Sequence, residues 1–105
     1  MNEPLRLETS RKLAERLIHE SPDGEARLNY LAELLLARPW SPKERTILQT
    51  ALTKFRTTYR KQPADAARLL HVGESKIDKS IPASELASWM LVSSAAMNLD
   101  AVVNK

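Results

Sequence analysis

Apolar residues recur along this chain at helical rather than strand spacing, in runs punctuated by proline and glycine. Leu13, Ala14, Leu17 and Ile18 form the first stripe, with Leu7 one turn earlier and Arg11, Lys12, Glu15 and Arg16 between them. This predicts a helix over 4–20, with Pro4 in its first turn. Ser21-Pro22-Asp23-Gly24 breaks the pattern and offers Ser21 as an N-cap with Pro22 at the first helical position. The second predicted helix, about 22–38, carries the stripe Leu28, Leu31, Ala32 and Leu35. Tyr30, Leu34 and Leu36 widen that stripe to most of the circumference, so this helix is expected at the centre of a bundle.

Ser41-Pro42-Lys43-Glu44 is the clearest local signal. The Ser41 hydroxyl can accept from the Glu44 N–H while the Glu44 carboxylate reaches back to the Ser41 N–H, a capping box. The third helix is expected to run to about Lys61 with Ile47, Leu48, Ala51, Leu52, Phe55 and Tyr59 on its buried face. A short fourth helix starts at Pro63 and runs from Ala64 to about His71, where Gly73 can end it in the left-handed conformation. The polar stretch 74–82 reads as a loop of about nine residues, long for a compact domain, and such loops are often functional or mobile. A fifth helix over about 83–97 places Leu86, Trp89, Met90, Ser93 and Met97 on one face, bordered by Val92, Ala96, Leu99 and Val102. Residues 99–103 can add a last turn. The fold class is therefore all-α: a compact bundle of four to five helices with short connections and one longer polar loop at about 74–82.

Length and composition narrow the picture further. A chain of 105 residues fits one domain, residues 1–105, and a domain of this size buries roughly 60–68% of the surface its unfolded chain exposes, enough for one modest core. With no cysteine, this stretch has no disulfide, no thiolate zinc site and no covalently attached c-type haem. No apolar run approaches the ~20 residues of a membrane span, and the start is polar rather than leader-like. The formal net charge of +3 is too mild to argue for nucleic acid unless the cations gather on one face.

Candidate chemistry is sparse. His19 and His71 fall in no metal-ligand spacing, and each suits a helix C-terminus. There is no nucleophile elbow and no glycine-rich phosphate loop. The carboxylate pairs Glu3 with Glu8 and Glu74 with Asp78 lie in stretches expected to be wet, whereas acid–base work needs a desolvated cleft. Lys54, Arg56, Arg60 and Lys61 form a basic cluster at the end of the third helix, where cations favour the helix dipole; no aromatic platform accompanies them. Trp89 reads as core. Trp40, between Pro39 and Ser41, either staples the second helix to the third or marks an exposed contact surface.

Several segments together resemble a known family. Asn2-Glu3-Pro4-Leu5 and Leu13-Ala14-Glu15-Arg16-Leu17 open the match, followed by Leu36-Ala37-Arg38-Pro39 and Ser41-Pro42-Lys43-Glu44. Val72-Gly73-Glu74, Glu85-Leu86-Ala87-Ser88-Trp89 and Asn98-Leu99-Asp100 close it. In this order and spacing the chain resembles the closing part of a domain of unknown function found in large planctomycete proteins, which often carry a cytochrome-c-like domain near their N-terminus. Trp40 departs from it where a proline is expected, and Ala101 where an acidic residue is expected. The resemblance implies that the chain is the C-terminal part of a larger domain and that its parent is extracytoplasmic. It supplies no catalytic residues.

These readings lead to a non-catalytic helical module with a structural or protein-interaction role, with no catalytic, cofactor or metal site of its own. The expected partners are the rest of its parent chain or another protein, not nucleic acid. Leu5, Leu7 and Trp40 are the candidate interface residues, and weak homodimerisation through the first helix is expected of the isolated stretch. The alternative is an accessory part of a polysaccharide- or redox-metabolism enzyme whose active site lies upstream.

Overall fold

Each helix boundary has a local cause. The structure, a computed structural model, describes the backbone of residues 2–103 and the side chains of 2–99. Helix α1 spans Glu3–Glu20, and the Asn2 side chain accepts from the Leu5 N–H at its start. Helix α2 spans Gly24–Leu36 and is capped by Asp23, whose Oδ1 accepts from the Ala26 N–H at 2.8 Å. This corrects the expectation for Ser21: that residue closes α1 instead, its N–H donating to Leu17 O at 3.0 Å. Helix α2 ends at Leu36, short of residue 38, with Ala37 left-handed at φ 55°. The following Pro39 disfavours helical geometry at Arg38, so the chain turns before it.

Helix α3 spans Pro42–Lys61 and opens on the expected capping box. Ser41 Oγ accepts from the Glu44 N–H at 3.2 Å, and Glu44 Oε1 accepts from the Ser41 N–H at 2.8 Å. Gln62 ends α3 and begins α4, Pro63–Leu70. Gly73 does adopt a positive φ, 73°, after α4. Helix α5, Ala83–Val103, is longer than expected and takes in the anticipated last turn. The Asp100, Ala101 and Val102 side chains, to which the sequence assigns a signature, a departure and a border position, lie outside the described residues.

The main correction concerns the centre of the bundle, which is α5 rather than α2. Helices α1, α3 and α4 all pack against α5, while α2 leans on α1. The five consecutive residues Leu86, Ala87, Ser88, Trp89 and Met90 are all buried, and at 100° per residue they cover the whole helix circumference. Val92, Ser93, Ala96 and Leu99 continue the burial. On α2 only Leu28, Leu31 and Ala32 are buried, and Leu34, Leu35 and Leu36 stay half-exposed. Apolar breadth on a helix of 13 residues did not place it inside. On α5 the run from Leu86 to Leu99 carries no charge at all, and that is what burial on every side requires.

The result is an all-α bundle with a radius of gyration of 13.0 Å, the compactness of a domain of about 100 residues. No helix among the described residues is long and apolar enough to cross a membrane.

Candidate functional site

The densest polar constellation joins α1 to the connection between α4 and α5. Glu8, Arg11, Lys12, Glu15 and His19 recur at i, i+3, i+4, i+7 and i+11, one face of α1. That face meets the irregular segment 71–82, whose backbone groups have no helix or sheet to satisfy them. Arg11 is completely buried, although its charge suggested a place between the apolar positions on the helix exterior. Its guanidinium donates to Leu70 O at 2.5 Å, Val72 O at 2.7 Å, Ser75 O at 2.8 Å and Ser75 Oγ at 2.5 Å. A planar, weakly hydrated fork suits such a cage of carbonyls better than an ammonium would. The Arg11 Nε lies 4.0 Å from Glu15 Oε2, too far for a hydrogen bond.

The neighbours of Arg11 grip the same segment. Glu8 Oε2 accepts from the Ser75 N–H at 2.7 Å, and Glu15 Oε2 from the Asp78 N–H at 3.1 Å. Lys12 Nζ donates to Lys76 O at 2.7 Å. His19 Nε2 meets Asp78 Oδ2, and Ser80 donates to Asp78 Oδ1 from both its hydroxyl and its N–H. The Ser80 hydroxyl first, then His19, hold the Asp78 carboxyl down to about 2. Hydrogen bonds from Ser75 hold the Glu8 carboxyl below its ordinary range. The Glu8 carboxylate also occupies the space a Cβ on Gly73 would need, so a side chain there meets the strain of a positive φ and must displace that carboxylate from Ser75. Of the carboxylates in the pairs Glu3 with Glu8 and Glu74 with Asp78, Glu8 and Asp78 each face a partner across the α1–loop contact.

A second cluster surrounds Trp89, which is fully buried. Arg27 of α2 and Arg56 of α3 place their guanidinium carbons 5.6 and 5.8 Å from its ring centroid. Glu85 Oε1 accepts from Trp89 Nε1 at 3.1 Å and from Arg56 Nη2 at 2.5 Å, and lies 3.5 Å from Arg27 Nη1. Burial pushes the Glu85 carboxyl up, but Arg56, the indole N–H and Arg27 together outweigh it, and the net direction is down. One carboxylate thus ties three helices over a tryptophan. Arg56 is thereby separated from the basic cluster expected around it, leaving Lys54, Arg60 and Lys61 exposed.

The candidate interface residues are not brought together. Leu5 is 50% exposed on α1, whereas Leu7 is half-buried and packs on the core. Trp40 is 6% exposed, and its Nε1 donates to Leu28 O at 2.8 Å. It is the staple between α2 and α3, which corrects its reading as an exposed contact. His71 caps the end of α4.

Among the described residues, no group of three or more His, Cys, Asp or Glu side chains could hold a metal ion. Chemically, both clusters act as clamps, because each acid and each guanidinium faces a partner in its own chain. Asp78 of the first cluster also borders a hollow of about 340 Å³ together with His71, Ile77 and Ile81. Sequence reasoning missed Arg11 and Glu85 because it treated charge as a mark of exposure. The signal was the five-residue polar stripe on α1 opposite a long loop poor in regular structure. No family model, no curated protein and no solved structure matches the chain.

Proposed function

We propose that this chain is a non-catalytic helical module that serves a structural or protein-docking role within a larger, extracytoplasmic protein of the planctomycete type. The observation that carries the reading is what the segments of the resemblance do in the fold. Glu15, in the segment Leu13–Leu17, holds the Asp78 N–H; Ser41 and Glu44, which bound the segment Ser41–Glu44, form the capping box. Gly73 yields to the Glu8 carboxylate, and Glu85 and Trp89 join α2, α3 and α5. Residues in such roles hold the helices in one fixed arrangement, and a fixed shape suits docking.

Cross-linking of the native protein in its own cells, read by mass spectrometry, tests this. Recurrent links from the chain's lysines to another protein, or to another domain of the same polypeptide, are expected. A protein that forms no such links and turns over a substrate as an isolated domain overturns the reading.

A further inference from the structure

The outward face of α3 combines an uncovered apolar strip with a charge of one sign. Of the residues expected to be buried on this helix, only Leu48 and Leu52 are fully so. Ile47 is 38% exposed, and Ala51 and Phe55 are half-buried. Together with Thr46, Thr50 and Lys54 they line a shallow hollow of about 390 Å³. Ile47, Ala51 and Phe55 stand at i, i+4 and i+8, an apolar strip about 12 Å long at 1.5 Å per residue. Lys43 lies one turn before it and Lys54 beside it, with Arg60 and Lys61 beyond, all exposed. None of these four cations forms an ion pair among the described residues. The one acid of α3, Glu44, is 1% exposed and engaged in the capping box.

We infer that this face docks an acidic amphipathic helix of a partner protein, its apolar side chains on Ile47, Ala51 and Phe55 and its carboxylates against Lys43, Lys54 and Lys61. The inference rests on the docking role proposed above and names its surface and its partner's chemistry. The apolar strip favours a protein over a nucleic acid, because a phosphate backbone has nothing to place on Ile47 and Ala51, while an amphipathic helix buries them. The uniform charge favours an acidic helix over a second copy of this face, which would oppose lysine to lysine.

The test uses a fluorescein-labelled peptide of about four helical turns, with leucines at i, i+4 and i+8 and glutamates elsewhere. Anisotropy gives its affinity for the whole chain, and amide shifts give its location. Saturable binding with shifts centred on residues 43–61 is expected. Ile47→Glu and Lys54→Glu, both at exposed positions, should each weaken it about tenfold or more, as loss of an interface anchor does. Shifts on another face, or affinity unchanged in both variants, overturn the inference. So does poly-glutamate or duplex DNA binding as tightly as the peptide, which would mark a general anion surface. Native cross-links that leave from α1 rather than α3 would overturn this face and leave the docking role standing; absence of native links together with turnover of a substrate by the isolated domain removes the role itself.

Discussion

Arg11 on α1 and Ser75 in the α4–α5 connection are bonded twice, from one guanidinium nitrogen to both the carbonyl and the hydroxyl of the serine. With Leu70 O and Val72 O on the other nitrogen, a single buried side chain satisfies the backbone where helical pairing stops. Arg11→Met keeps the apolar stem but leaves these acceptors unpaired. The expected cost is about 3 kcal/mol or more, since each buried orphan costs about 1–3 kcal/mol. At about 4–8 °C per kcal/mol for a domain near this size, the melting temperature should fall by more than about 10 °C. Arg11→Lys should recover only part of this, because an ammonium cannot span the cage. Thermal unfolding followed by circular dichroism measures both variants.

Gly73 and Glu8 should be coupled. Gly73→Ala places a Cβ in left-handed backbone, at about 1–2 kcal/mol, and also against the Glu8 carboxylate that holds the Ser75 N–H. A double-mutant cycle with Glu8→Ala should show less destabilisation than the sum of the single changes. Urea unfolding of the four proteins gives the coupling; strict additivity would mean that the carboxylate does not sit where the structure places it.

The start of α3 should answer unequally to its two partners. Ser41→Ala removes one acceptor at the surface and should cost about 0.5–2 kcal/mol. Glu44→Ala should cost more. Its buried carboxylate takes the Ser41 N–H and also both arms of Arg38, at 3.0 and 3.2 Å. Denaturant midpoints rank the two; equal losses would show that the Arg38 contact contributes nothing.

How far the sequence disclosed this fold varies with the kind of signal. The capping box at Ser41 and the glycine at position 73 were legible because each is a local requirement of the backbone. The centre of the bundle was not, because leucine-rich α2 attracts attention while α5 hides its burial behind serines and alanines. Ser88 and Ser93 are both fully buried; Ser88 Oγ donates to Ser84 O at 2.7 Å, so burial costs it little, whereas Ser93 Oγ has no hydrogen-bond partner among the described residues. The inward turn of Arg11 and Glu85 depends on residues about sixty and thirty positions away along the chain, and helical periodicity holds no information at that range.

Acid should loosen the connection first. The Asp78 carboxyl titrates at about 2 in the folded chain and in the ordinary carboxylate range when unfolded. Because the folded value is the lower one, its contribution is complete above the unfolded value, about 4, and is lost as the pH falls towards 2. Glu8 and Glu85 are lowered too and act in the same direction. Stability should therefore decline below about pH 4, and Asp78→Asn should flatten part of that decline. Unfolding midpoints at a series of acid pH values check the slope.

The central claim is that the charged residues of α1 hold 71–82 as part of the scaffold, so that this loop is not a free functional element. Amide hydrogen exchange at Ser75 and Asp78 tests it most directly, because their N–H groups donate to Glu8 and Glu15 and to no helix or strand. Both amides should be protected in the native protein and lose that protection in Arg11→Met while α5 amides in the core retain theirs. Exchange of Ser75 and Asp78 at the rate of an unstructured chain in the native protein would contradict the account.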